Sequence, residues 1–306
     1  MVLMPKEVST AKQSGPYMSH KGRLYDRIEP YLLLLPAFSI FSVFLFYPFL
    51  RTIYLSFFLT DKFGNAKVFW GVRNYSDLFA SSSFWASISV TFQFVLIVAF
   101  GSLIVGMITS LLTAREYPGS TIISASYAMP VAIASAAASM AFRMVFHPTN
   151  GLLNILFGTQ INWLGSPEWA LFSVSAVTIW LQSGINFIFI SAGLRGVSDE
   201  LYESASIDGA GYFRKLFSIT IPSISPTLFF QVIINIINAF QSFSQIRLLT
   251  QGGPGDSTNV IVYAIYRDAF FNFRFGTAAA RSIILFIIIF IITLIQFRFE
   301  KRSVHY

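Results

Sequence analysis

Apolar runs of roughly 20 residues, each long enough to cross a bilayer core, recur six times in this chain. They cover about Tyr31–Phe49 (extending towards Leu59), Ile88–Leu112, Ile122–Phe142, Ala170–Leu194, Ser223–Gln245 and Ser282–Phe299. Inside lipid every backbone N–H and C=O must pair within its own segment, so these runs are expected to be helices. A membrane barrel would show short alternating strands instead. The expected fold class is therefore all-α, a polytopic protein with about six transmembrane helices and the lipid bilayer as solvent. Charge content agrees. Only 11% of the 306 residues are charged, against roughly a quarter in soluble domains. The 34 Phe residues suit lipid contact and interfacial belts. A net charge of +7 points to no nucleic acid, because the basic residues cluster beside the spans rather than along one face.

Charge placement sets the expected orientation. Residues 1–29 are polar and carry Lys6, Lys12, Lys21, Arg23 and Arg27, and the first apolar run begins too late for a secretory signal. This tail, expected in the cytoplasm, precedes a membrane domain over 30–302, followed by a short tail over 303–306. Arg298, Lys301 and Arg302 match the basic N-terminus, so both termini are expected in the cytoplasm. The connections holding Arg115, and Arg195, Arg214 and Lys215, face the same side, as loop 195–222. The link from His147 to Glu168 has no Lys or Arg, as an outer loop should. The outer loop 247–280 fits less well, since Arg247, Arg267, Arg274 and Arg281 all fall on that side. Cysteine is absent, which excludes thiolate sites, and His20, His147 and His305 are too scattered for a metal cluster.

Pro130 interrupts the third run, and the VAIASAAASMAF segment after it is rich in small residues. Small residues let helices approach closely, so this segment is expected inside the bundle.

The most specific segment is polar. Glu203 to Pro226 reads ESASIDGAGYFRKLFSITIPSISP between two apolar runs. Two short helices with a break are expected. Ser198 or Asp199 caps the first, Asp199 and Glu200 suit its N-terminal dipole, and Asp208–Gly209 signals a turn. Gly211 loosens the next step, Tyr212 to Phe217 form the second helix, and Pro222 and Pro226 open the fifth span. An amphipathic segment on the lipid surface is the bland alternative, but it calls for no such spacing of acid, glycine and proline.

This segment resembles the EAA motif of ABC importer permeases, in which E-A-A, three residues, G, nine residues and I-x-L-P recur. Glu203, Ala205, Gly209, Ile219 and Pro222 match; Ser204 and Ile221 are small departures. LLTQGGPGDSTNVIVYAIYRDAFFNFRFGTAAARS, the opening YLLLLPAFSIFSVFLFYPFLRTIYLSF and Trp70 to Tyr75 are similar to permeases importing sugars and glycerol-3-phosphate, especially the first of their two permease subunits. The resemblance implies a MetI-like fold and a transport subunit that is no enzyme, in a bacterial or archaeal inner membrane. It implies a second homologous permease, two ATPase subunits and an extracytoplasmic solute-binding protein as partners. No cofactor would be held by this chain; ATP and Mg would sit on the ATPase partner. The loop would be its coupling helix, through Glu203, Ala205, Asp208, Gly209, Ala210, Ile219 and Pro222, with Phe213 or Phe217 anchored in an apolar groove. The segment GGPGDST has no Lys before its Ser and no preceding strand, so it is expected to be an outer turn rather than a phosphate loop.

Gln231, Asn235, Asn238, Ser242 and Gln245 recur at helical spacing, with Gln241 beside them; Gln182, Ser183 and Asn186 form a smaller set on the fourth span. Amides avoid lipid, so they either bond neighbouring helices or line a path for a hydroxyl-rich solute. For the fourth-span set packing is the expected use. Arg143 and Arg247 stand near outer ends, where snorkelling or docking of a binding protein competes with contact to a phosphorylated solute. An ion-coupled secondary transporter is the alternative function, and it would need ionisable residues at mid-span, which are almost missing. A membrane enzyme would need converging acids or histidines at the membrane face.

Overall fold

The computed structural model describes residues 20–114 and 117–303. Lys6, Lys12 and Arg115 lie outside the described residues, as do 304–306 of the C-terminal tail. The chain divides between Arg51 and Thr52 into two compact units. The first holds α1 (His20–Phe41), which begins within the expected tail, and a π-helical turn Ser42–Phe46. The run continues into α2 (Tyr47–Ser56), so the first apolar span is helical over Glu29–Ser56.

The helix stops short of Leu59, which lies in a strand. In the second unit β1 (Phe58–Thr60) pairs antiparallel with β2 (Ala66–Phe69), Phe58 opposite Phe69. The turn between them is organised by Asp61, whose carboxylate accepts the N–H groups of Asn65 at 2.8 Å and Phe63 at 2.9 Å. Those bonds, led by Asn65, hold its carboxyl below the usual range. This hairpin is the one departure from an all-α fold among the described residues. α3 (Arg73–Ala80) follows, and its buried Asn74 donates to the carbonyls of Ser56 at 2.8 Å and Phe58 at 3.1 Å.

The core is built on α4 (Ser82–Thr113) and α8 (Pro167–Arg195), the most extensive helix pair. Glycine makes their close approach possible. A Cβ on Gly101 would stand 2.5 Å from the Ile179 side chain, and one on Gly106 2.4 Å from the Asn186 Cβ. Lower on the same seam Ser110 Oγ donates to the Phe187 carbonyl at 3.1 Å and accepts from Ser191 Oγ at 3.1 Å. Gly106→Leu is expected to wedge α4 from α8 and cost about 3 kcal/mol, read as a lowered Tm in detergent. An unchanged Tm would show that the seam yields freely.

The third apolar run is not one straight helix. α5 (Ser120–Ala128) and a 3-10 turn Met129–Ala132 meet α6 (Ser135–Val145) at a bend of 108°. Ile133 and Ala134 at the break are extended, with ψ of 125° and 132°. The expectation that the Ala-rich run lies inside the bundle is overturned: of α6 only Ala138 and Ser139 are buried. Small side chains allow close packing, but they do not say which chain supplies the neighbour.

α7 (Leu152–Phe157) lies in the following loop. Buried Asn154 organises it, donating to the carbonyls of Pro148 and Ile161 and accepting from Trp163 Nε1 at 2.8 Å. After α8 come α9 (Asp199–Ile207), α10 (Tyr212–Lys215), a π-helical turn Leu216–Thr220 and α11 (Ile221–Ser223). α12 (Ser225–Phe240) sets off at 70° to the segment before it. The expected fifth span to Gln245 is therefore too long. The helix ends at Phe240, where the Gln241 N–H turns to the Ile237 and Asn238 carbonyls. α13 (Ser244–Leu249), α14 (Ile261–Tyr266), a π-helical turn Arg267–Phe271 and the long α15 (Phe275–Ser303) complete the chain. Among the described residues four helices are long and apolar enough to cross a membrane, or up to six if each bent pair counts as one span.

Candidate functional site: a helical elbow and a divided amide set

The elbow Ser198–Ile224 joins α8 to α12, and its shape comes from local chemistry. Ser198 Oγ caps α9 by accepting the Glu200 N–H at 3.3 Å, with Asp199 and Glu200 in the first turn. Gly209 ends the helix in the left-handed region at φ +73°. The Ala210 N–H reaches back to the Ala205 carbonyl at 2.8 Å, and the Gly209 N–H to that of Ser206 at 3.1 Å. This pair of bonds closes the last turn of α9, and glycine adopts the required φ at no steric cost. The return segment is tied to α9 by Tyr202 Oη to Thr220 Oγ1 at 3.0 Å and Lys215 Nζ to Ser206 Oγ at 2.6 Å. Tyr202, Ser206 and Thr220 were not singled out from sequence; no short-range pattern pairs residues across a turn of this length.

The outward face carries both charge and apolar surface. Glu203, Asp208 and Pro222 are exposed, and Ala205, Ala210 and Ile219 half-buried. Ile207 is 87% exposed, Phe213 71% and Phe217 65%. Polar segments do not leave such side chains in water without reason, so the face is shaped to be covered. Beneath it a cavity of about 330 Å³ is lined by Leu194, Tyr202, Tyr212, Lys215 and Thr220.

The amide stripe expected along one helix face divides in two. Asn186 and Asn235 are fully buried and bond reciprocally, Asn186 Nδ2 to Asn235 Oδ1 at 2.9 Å and Asn235 Nδ2 to Asn186 Oδ1 at 2.8 Å. Gln231 is also fully buried and donates to the Ile185 carbonyl at 3.3 Å. Ser183 bonds its own helix at Trp180, and Gln182 is half-buried, its carbonyl accepting from Asn186 at 2.9 Å. Asn238 and Gln241 instead are exposed. Ser242 and Gln245 are buried but lie beyond the end of α12, Ser242 in the turn and Gln245 on α13.

Arg247, Arg267 and Arg281 have side-chain partners. Arg281 Nη2 meets Asp268 Oδ2 at 3.0 Å, both residues buried, and Arg267 Nη1 meets Asp256 Oδ1 at 2.9 Å. Arg247 stacks 4.5 Å over the Tyr266 ring and donates to its hydroxyl. Arg274 is exposed, its N–H donating to the Asp268 carbonyl. Arg143 is exposed. Within GGPGDST the Thr258 N–H and hydroxyl bond the carbonyls of Gly252 and Gly253, so the turn is closed on itself.

A bent, largely helical membrane fold carrying a protruding helical elbow defines a class of transport permease. The family of binding-protein-dependent transport system inner membrane components matches residues 14–305, and the chain belongs to it. It is a permease of the ABC importer class. It is 35% identical over 285 residues to the sn-glycerol-3-phosphate transport system permease protein UgpA of Agrobacterium fabrum, covering 92% of this chain and 97% of that protein. It is 34% identical over 281 residues to the protein of the same name from Yersinia enterocolitica, covering 90% and 95%. Among solved structures it resembles a chain of a bacterial ABC transporter involved in import of the acidic polysaccharide alginate, with a TM-score of 0.79 at 24% identity over 92% of this chain and 99% of that one. The same fold recurs in the alginate transporter in complex with an alginate pentasaccharide-bound periplasmic protein, again with a TM-score of 0.79 and 24% identity, over 92% of this chain and 98% of that one.

Proposed function

We propose that this chain is one permease of a heterodimeric pair that imports glycerol-3-phosphate or a related carbohydrate, driven by two ATPase subunits that hold ATP and Mg. An extracytoplasmic binding protein delivers the solute. Both termini and the elbow face the cytoplasm, and 247–280 faces outward. The observation that carries the reading is the elbow itself: a capped, glycine-closed helix presenting Glu203, followed by a return segment presenting Phe213 and Phe217, at the junction of two membrane helices. Phe213 and Phe217 anchor in an apolar groove of the ATPase subunit, Glu203 fixes their orientation, and Gly209 with Asp208, Ala205 and Ala210 sets the bend. Ile219 and Pro222 carry the displacement into α12. The relatives named above favour glycerol-3-phosphate among the solutes.

The division of the amides supports two different uses. The Asn186, Asn235 and Gln231 amides bond between helices, and Gln182 contributes its backbone carbonyl to Asn186. Asn238 and Gln241, exposed where lipid would penalise them, line the solute path. Asn238→Ala and Gln241→Ala are each expected to weaken solute transport by roughly 3- to 10-fold, seen as a raised KM for uptake with basal ATPase unchanged. An unchanged KM in both places the path elsewhere. The test of the whole reading is reconstitution with the partner subunits in liposomes. Uptake should require ATP and binding protein, and glycerol-3-phosphate should compete with labelled solute. Uptake by this chain alone on an ion gradient would overturn it; none of the relatives named here points that way.

A further inference from the structure

The elbow and the two membrane helices that flank it meet at three levels. At the deepest level Asn186 of α8 and Asn235 of α12 clasp by two amide bonds of 2.9 and 2.8 Å, with neither residue exposed. Closer to the elbow Gly193 of α8 lies against Thr227 of α12, so that an added Cβ would stand 3.1 Å from Thr227 Oγ1. In the elbow itself Tyr202 bonds Thr220 at 3.0 Å. Moving from Asn186 through Gly193 to Tyr202, the partners step back from Asn235 through Thr227 to Thr220, as an antiparallel hairpin requires. The clasp also reaches a third helix. Asn235 Nδ2 lies 3.4 Å from the Ala99 carbonyl of α4, and Gly106 of α4 leaves room for the Asn186 Cβ.

We propose that Asn186 and Asn235 are positioning residues that make α8, the elbow and α12 one stiff lever, so that a displacement of the elbow reaches the middle of the bundle without slippage. A helix slides in steps of about 1.5 Å per residue, and a step of that size breaks both amide bonds at once. With both residues fully buried, water cannot replace the lost bonds, so the broken state is penalised and the register holds. The Ala99 contact carries the same lock to α4. Neither amide bond of the clasp involves the bent pair α5–α6. This inference rests on the elbow being the ATPase contact.

The test uses the complete transporter, purified through its ATPase subunits so that assembly is verified first. Asn186→Leu/Asn235→Leu removes both partners together and leaves no orphaned amide, which keeps the bundle near its native stability. The expected result is an assembled complex that still hydrolyses ATP but moves about tenfold less solute per ATP. A merely structural role would lower assembled yield and leave that ratio alone. The sequence has no cysteine, so Asn186→Cys/Asn235→Cys adds one thiol pair to this subunit. Bridging it with a short bifunctional thiol reagent should restore solute per ATP to the native value. Two results would overturn the proposal: a native ratio in the double Leu variant, or transport arrested by the bridge, which would mean α8 and α12 part during the cycle. Failure of the elbow reading looks different, since Glu203→Lys would then keep both assembly and uptake.

Discussion

In the complete transporter, Glu203→Lys and Gly209→Pro are each expected to reduce ATP-driven uptake by at least about 30-fold, while the chain still inserts into the membrane. The two act by different routes. Glu203 is exposed on α9, so its reversal leaves the elbow folded and changes only what a partner meets. Gly209 sits at φ +73°, and its N–H is spent on the Ser206 carbonyl. Proline fixes φ near −65° and has no N–H, so the helix end and the turn after it are both lost. Gly209→Ala makes a graded control. No atom lies within 4 Å of an added Cβ, so its cost is the left-handed backbone alone, about 1 kcal/mol. Uptake and copurification with the ATPase subunits are the measurements. Native uptake in both severe variants would remove the elbow from the coupling path.

Arg281→Met is expected to lower the Tm of the purified protein by about 10 °C, and Asp268→Leu by a similar amount. Arg281 and Asp268 are 7% and 9% exposed, and they hold α15 to the π-helical turn after α14 at 3.0 Å. The guanidinium also lies 5.6 Å over the Phe84 ring at the start of α4. Removing one partner buries the other charge alone, at a cost of about 3–5 kcal/mol. Arg281→Met/Asp268→Leu removes both charges and should recover most of the loss. Equal Tm values across all three variants would show that water reaches the pair and screens it.

The same pair bears on the poor fit of 247–280 to the charge bias. Arg247, Arg267, Arg274 and Arg281 look like an excess of cations on the outer side. Two of them are balanced by Asp256 and Asp268, and Arg247 lies on an aromatic ring. The bias that orients membrane helices counts positive charges near span ends, and folding then pairs them by rules it does not contain. The Ala-rich run after Pro130 shows a similar limit. Its residues announce a surface fit for close packing, yet most of α6 finds no cover within this chain.

The elbow was legible at the level of single residues because its forces act over a few positions. A cap reaches two residues ahead, and the closing bonds at Gly209 span three and five residues. Helical character followed from the length of apolar runs, since the bilayer leaves the backbone no other way to satisfy its polar groups, but the runs did not show that two of the six are bent pairs. The amide stripe could not be resolved in that way. Helical spacing puts Asn235 and Asn238 on neighbouring positions of one face, but nothing along α12 says that one meets Asn186 while the other is left exposed. Nor did the spacing reveal that the helix stops at Phe240, before Ser242 and Gln245. Local bonds and bilayer thickness are written into the order of residues; the partners of buried amides and charges depend on where separate helices cross, and only packing sets that.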